Sequence, residues 1–209
     1  MNFQLKDDLI LPPYIFILED DNVQRENLEK NIVKYFKNFD NVSLPSKNDI
    51  VSFPSYDVAL ENLLDKNIRE RPLIGILDYD MTGAEELNSR KPSSALIHNL
   101  MIENQYDPRL ILGIIYSGRA SEAFQDPIFG QLESDLRNRG NQGSIPTILR
   151  LNKGSAAELG KDVNAMCSII GYTCQELART SPTLVKEKYS DIAVKSSFDL
   201  YEFGRNLNK

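Results

Sequence analysis

Tyr14-Ile15-Phe16-Ile17-Leu18-Glu19-Asp20-Asp21 sets five apolar residues directly against three acidic ones, and the pattern returns at Leu73-Ile74-Gly75-Ile76-Leu77-Asp78-Tyr79-Asp80. Each apolar run is too short for a buried helix and is rich in Ile or Leu, as strands covered on both faces require. Leu110 to Tyr116 and Ile145 to Leu151 are two more such runs, followed by Ser117-Gly118 and by Lys153-Gly154, and Ile50 to Phe53 reads as a fifth strand. Helical periodicity fills the gaps, with one stripe at Leu28, Ile32, Tyr35 and Phe39 and another at Val58, Leu60, Leu63 and Leu64. Strands alternating with helices predict an α/β fold, a doubly wound five-stranded parallel sheet with helices on both faces.

Helix starts are marked by side chains able to cap them. Asp21-Asn22-Val23-Gln24 reads as a capping box, and Thr173-Cys174-Gln175-Glu176 as another after the breaker Gly171. Ser181-Pro182 opens a last helix, expected to about Asn206, with apolar positions at Val185, Tyr189, Ile192, Leu200, Phe203 and Leu207. The chain thus divides into a main domain over residues 12–178 and a C-terminal helical extension over 179–209. The stripe of the extension is expected to pack against that domain or against a second copy, as a homodimer contact.

A chain of 209 residues with 41% hydrophobic side chains supports one main core. Its net charge of -6 opposes binding to a phosphate backbone, so no direct nucleic-acid binding is expected. Cys167 and Cys174 show no zinc or disulfide spacing, which suits reduced thiols in the cytoplasm. Met1 to Tyr14 holds no sustained apolar run, so neither a signal peptide nor a membrane span is expected. His98, the sole histidine, falls on an expected helix with nothing nearby in the sequence to orient it, and it is given no role.

The strand ends carry the chemistry. In a parallel sheet Glu19-Asp20-Asp21, Asp78-Tyr79-Asp80, Ser117-Gly118 and Lys153-Gly154 converge on one edge, where ligands of such folds bind. Carboxylates crowded at one place repel unless a cation lies among them, and hard oxygen donors suit Mg²⁺. Ser117 offers a hydroxyl donor and Lys153 a compact positive charge, both suited to phosphoryl oxygens.

From about Tyr14 to Leu177 the chain resembles the receiver domains of bacterial two-component response regulators, of the flavodoxin-like/CheY-like fold, enlarged and with a C-terminal extension. Ile15 to Asn22 followed by Arg25 and Leu28 is similar to their first strand and helix, Leu77 to Met81 to their phosphoacceptor strand and loop, Tyr116-Ser117-Gly118 to their Ser/Thr strand, and Asn152-Lys153 to their lysine. The resemblance implies that Asp78 accepts a phosphoryl group from a sensor histidine kinase or histidine phosphotransfer protein and that Asp20 and Asp78 bind Mg²⁺ directly, Glu19 mainly through water. It further implies that Asp80 contributes its backbone carbonyl, that Ser117 and Lys153 bind phosphoryl oxygens, and that Gly118 leaves room for them. Three positions depart from the pattern: Thr82 and Gly154 stand where prolines are usual, and Arg150 where a switch aromatic is common. The wide spacing between site residues implies insertions near Lys37 to Asp49, Ala84 to Lys91 and Gln125 to Gly143. Among the residues beyond Leu177 no winged-helix or other DNA-binding module is expected.

Asp78-Tyr79-Asp80-Met81-Thr82 also resembles the DxDxT motif of haloacid-dehalogenase-type phosphatases, in which Asp78 is the nucleophile and Asp80 the general acid/base. That motif normally opens its fold and is followed, after the lysine, by a further acidic strand end. Here the acidic pair Glu19-Asp20 lies upstream instead. A Toprim-type site would use Glu19, Asp78 and Asp80 but leaves Ser117 and Lys153 without a role.

Overall fold

The computed structural model describes residues 12–37, 44–64, 68, 71–82, 90–103, 110–123, 125–138, 146–207 and 209. Five strands, β1 (Tyr14–Leu18), β2 (Ile50–Phe53), β3 (Leu73–Leu77), β6 (Leu110–Ser117) and β7 (Thr147–Asn152), form one parallel sheet in the order β2-β1-β3-β6-β7. This is the doubly wound parallel sheet expected from the alternation of strands and helices, and its strand order is the flavodoxin-like one. Between β3 and β6 a short antiparallel hairpin of β4 (Asp80–Thr82) and β5 (Arg90–Pro92) stands apart from the sheet. The helices are α1 (Asn22–Lys37), α2 (Tyr56–Leu63), α3 (Ser93–His98, running on into a π-turn over Asn99–Glu103), α4 (Ala120–Ala123), α5 (Pro127–Asn138), α6 (Leu159–Leu177), α7 (Pro182–Lys195) and α8 (Leu200–Leu207). None of the helices in the described residues is long and apolar enough to cross a membrane.

Strand alternation sorts the core into two layers. Ile15, Ile17, Ile74, Ile76, Leu112, Ile114, Leu149 and Leu151 face α1, α6, α7 and α8. Phe16, Leu18, Leu77, Ile115 and Ile148 face α2, α3, α4 and α5. On this second face Phe16, Gly75, Gly113 and Ile148 lie side by side in register. A Cβ at Gly75 would lie 2.7 Å from the Phe16 ring, and one at Gly113 2.8 Å from Ile148 Cδ1. The two glycines therefore make room for the larger side chains flanking them.

Local expectations meet mixed outcomes. Asp21 caps α1, its Oδ1 accepting the Gln24 N–H at 2.9 Å, and Ser181 caps α7 through the Leu184 N–H. The stripe of α1 buries Leu28, Ile32 and Phe36 with Tyr35 only partly covered, and Phe39 lies outside the described residues. In α2 the buried positions are Tyr56, Ala59 and Leu63, whereas Val58 is exposed. The capping box expected at Thr173 is absent because α6 runs through it, and the Thr173 hydroxyl instead donates to the Ile169 carbonyl. Of the expected insertions, Gln125 to Gly143 contains α5, and all three fall partly outside the described residues.

The single last helix expected to Asn206 is two helices. The chain breaks at Ser197 (φ 51°) and Phe198 (φ 60°), both in the left-handed region that costs a non-glycine residue about 1 kcal/mol or more. The break is held by Phe198 N–H donating to Ala193 O at 2.8 Å and by Arg150 N–H donating to Phe198 O at 2.9 Å. Arg150 also bridges to Asp199, so the corner between α7 and α8 covers part of the outer edge of β7. The apolar stripe is spent inside the molecule, where Val185, Tyr189, Leu200, Phe203 and Leu207 are buried against α6 and the sheet.

Candidate functional site

The crevice between β1 and β3, where strand order reverses, is where this topology places ligands. Leu18 lies level with Leu77, and the ladder extends past both strands as Asp78 N–H donates to Leu18 O at 2.8 Å and Glu19 N–H to Phe53 O at 3.2 Å. Across the sheet Ser117 is level with Asn152, and Lys153 N–H donates to Ser117 O at 3.1 Å. The four expected strand ends therefore reach one edge.

Glu19, Asp20 and Asp78 each bring a carboxylate oxygen to within 4.8 Å of the others. Lys153 enters from the far side, its Nζ 2.6 Å from Glu19 Oε2 and 3.3 Å from Asp78 Oδ2. The second oxygens are fixed by backbone, with Glu19 Oε1 accepting the Asp21 N–H at 3.3 Å and Asp78 Oδ1 the Tyr79 N–H at 2.8 Å. Arg25, one turn into α1, donates to the carbonyls of Glu19 at 2.8 Å and Asp20 at 3.4 Å and so holds the acidic turn.

Ser117 is buried, its Oγ accepting the Arg119 N–H at 3.3 Å, and the Cβ position of Gly118 faces open space. Asp80 opens the β4–β5 hairpin, its backbone level with Pro92, and Ser93 N–H donates to Tyr79 O at 3.1 Å to close the hairpin onto the loop after Asp78. The Lys153–Gly154 bond is trans. The loop after it turns on Glu158, which accepts the Ser155 N–H at 2.9 Å and stands so close to Gly154 that a Cβ there would meet its Oε2 at 2.5 Å.

Glu19 is only 3% exposed, and this burial pushes its carboxyl above the usual range; Lys153 opposes the shift and the charge of Asp78 adds to it. A carboxyl that holds its proton more tightly folded than unfolded loses stability for the protein as pH rises from the ordinary glutamate range through the raised value. Glu19→Gln removes that loss. In thermal melts with chelator, the variant is expected to gain on wild type as pH is raised toward neutrality, and parallel profiles would show that Glu19 carries no such strain.

Two residues read differently in three dimensions. His98 is oriented after all, its Nε2 3.1 Å from Asp135 Oδ2, which ties α3 to α5 away from the strand ends. Asp162 on α6, not singled out from the sequence, is a buried carboxylate bonded to Tyr116 and Tyr201. Its signal was its place among Leu159, Val163 and Met166, a charged residue on the apolar side of a helix. Both cysteines are free and buried, and burial raises their thiol pKa values, that of Cys174 to about 12, so neither is a reactive thiolate.

No family model matches this chain, and neither the curated proteins nor the solved structures yield a match.

Proposed function

We propose that this chain is a cytoplasmic receiver domain that accepts a phosphoryl group on Asp78 from the phosphohistidine of a sensor histidine kinase or histidine phosphotransfer protein, and thereby switches a protein–protein interaction. The observation that carries the reading is the Lys153 ammonium beside Asp78 Oδ2, facing the acidic cluster at the switch point of the sheet. Metal binding fits the donor set, since three carboxylates with oxygens this close form a hard, all-oxygen site, and a cation there offsets the cost of ionising buried Glu19. Glu19, Asp20 and Asp78, with the carbonyl of Asp80, would hold Mg²⁺. When bound, it supplies positive charge to the oxygens of the transferring group.

The side chains divide the remaining work. An oxygen of Asp78 forms the new bond to phosphorus as the phosphorus–nitrogen bond of the donor breaks and the electron pair returns to the imidazole. Oδ2 is the apt nucleophile, because Oδ1 is tied to the Tyr79 amide. Lys153, already at the acceptor, moves from its hydrogen bond to Glu19 and its ion pair with Asp78 to a phosphoryl oxygen, and the Ser117 hydroxyl donates to another. The open space at Gly118 leaves that approach unobstructed.

The phosphatase reading differs at Asp80. A general acid/base contributes about 10²–10⁴-fold to turnover. Asp80→Asn is therefore expected to leave labelling of Asp78 by acetyl phosphate largely intact, with wild type turning over generic phosphate esters negligibly. Rapid ester turnover by wild type that Asp80→Asn destroys would make the chain a phosphatase.

A further inference from the structure

Asp162 takes no part in the chemistry above, yet it is a carboxylate only 4% exposed in the first turn of α6, the helix that follows the Lys153 loop. Its two oxygens serve different parts of the molecule. Oδ2 accepts the Tyr116 hydroxyl at 3.1 Å and, at 3.5 Å, the Gly154 N–H. Oδ1 accepts the Tyr201 hydroxyl at 2.5 Å. Tyr116 immediately precedes Ser117, and its ring centre lies 5.7 Å from Lys153 Nζ; Gly154 immediately follows Lys153. Tyr201 comes from α8, at the far end of the sequence. One buried carboxylate thus joins neighbours of two strand-end residues to the C-terminal extension.

An ionised carboxylate is tolerated out of water only while its oxygens are hydrogen-bonded. Without the Tyr201 hydroxyl, Oδ1 loses a short charge-assisted bond, and the side chain is free to turn and reduce what it gives Tyr116 and Gly154. A phenol donating to an anion also has an electron-richer ring, which attracts the Lys153 ammonium more strongly. We propose that Asp162 is a positioning residue for Lys153, and that α8 is a working part of the strand-end site because Tyr201 holds Asp162 in place. Coupling is reciprocal, so whatever draws Lys153 away from Glu19 and Asp78 alters the hold on Tyr201 and is felt in α8. The consequence for phosphoryl transfer rests on Asp78 being the acceptor; the link from Tyr201 to Lys153 does not.

The test uses the full chain as wild type, Tyr201→Phe and Tyr116→Phe, the last being a second route to the same link should either variant fold poorly. Without metal or phosphodonor, competitive acylation by acetic anhydride, read by peptide mass spectrometry, reports the reactivity of each lysine. Lys153 reactivity is expected to change roughly five- to tenfold in both variants, with Lys188, which pairs with Glu176 and Tyr172, as the unchanged internal reference. In a second arm, labelling by acetyl phosphate is expected to slow at an unchanged Mg²⁺ requirement. Lys153 reactivity equal to wild type in a folded variant overturns the proposal. A shifted Lys153 in a protein whose wild type takes up no phosphoryl group upholds the link and refutes the acceptor reading.

Discussion

A chain ending at Arg179 is expected to lose cooperative folding. The extension is no appendage, for Val185, Tyr189, Leu200 and Phe203 are each at most 1% exposed and lie in the same apolar layer as α6 and residues from all five strands of the sheet. At about 1.5–3 kcal/mol for each fully buried Val, Leu or Phe, losing Val185, Leu200 and Phe203 alone removes about 5–9 kcal/mol. A whole domain is stable by only about 5–15 kcal/mol. The cut also leaves partners such as Ile169 and Leu149 newly wetted and uncovers part of the β7 edge at Arg150. Circular dichroism of the truncated chain is expected to show no sharp melt and the protein to aggregate. A cooperative melt within a few degrees of full length would mean that α7 and α8 merely rest on the surface.

That burial bears on output. The stripe expected to meet either the domain or a second copy is occupied by the chain's own core, which leaves Leu184 and Val194 as the large apolar side chains that α7 exposes. The extension instead bonds through Tyr201 to Asp162, which meets Tyr116 and Gly154 beside the strand ends, and it lies along β7 at Arg150.

The sheet was legible because β1, β3 and β6 are nearly continuous Ile- and Leu-rich runs, the first two cut off by charge. For β1 and β3 the boundaries follow from composition alone, with Glu19 and Asp78 as full stops, whereas Ser52 inside β2 leaves that strand a weaker signal. β7 begins two residues later than its apolar run, after Pro146, whose missing N–H suits the position just before a strand. Gly171 misled for a physical reason. A glycine there suggests a breaker, but it sits inside α6 where Phe36 and Leu44 pack 3.7 Å from its Cβ position, a glycine used for close helix packing. The turn at Ser197 and Phe198 carries no glycine or proline to announce it, and it is imposed by contact with β7. The β4–β5 hairpin likewise offered no alternation over its short strands.

The site was legible to the extent that topology alone assembles it. Parallel strands bring Glu19, Asp20, Asp78, Ser117 and Lys153 to one edge whatever the loops do. What the sequence did not reveal is the pairing within the site, in which Lys153 bridges Glu19 and Asp78, and the second layer behind it, in which Asp162 joins Tyr116 to Tyr201. Those depend on side-chain reach across residues far apart in the chain, which periodicity does not encode.

Asp78→Asn should abolish phosphoryl uptake altogether, because an amide lacks the nucleophilic oxygen while its remaining oxygen still suits the Tyr79 N–H. The fold should survive, since the substitution keeps the size of the side chain and removes one of two negative partners of Lys153. Intact-mass spectrometry after incubation with acetyl phosphate is the direct measurement. Wild type with Mg²⁺ is expected to gain the mass of a single phosphoryl group, wild type with chelator to gain none, and Asp78→Asn with Mg²⁺ to gain none while still melting cooperatively. Labelling of Asp78→Asn to the wild-type extent, or no labelling of folded wild type with Mg²⁺ present, would contradict the assignment of Asp78 as phosphoacceptor.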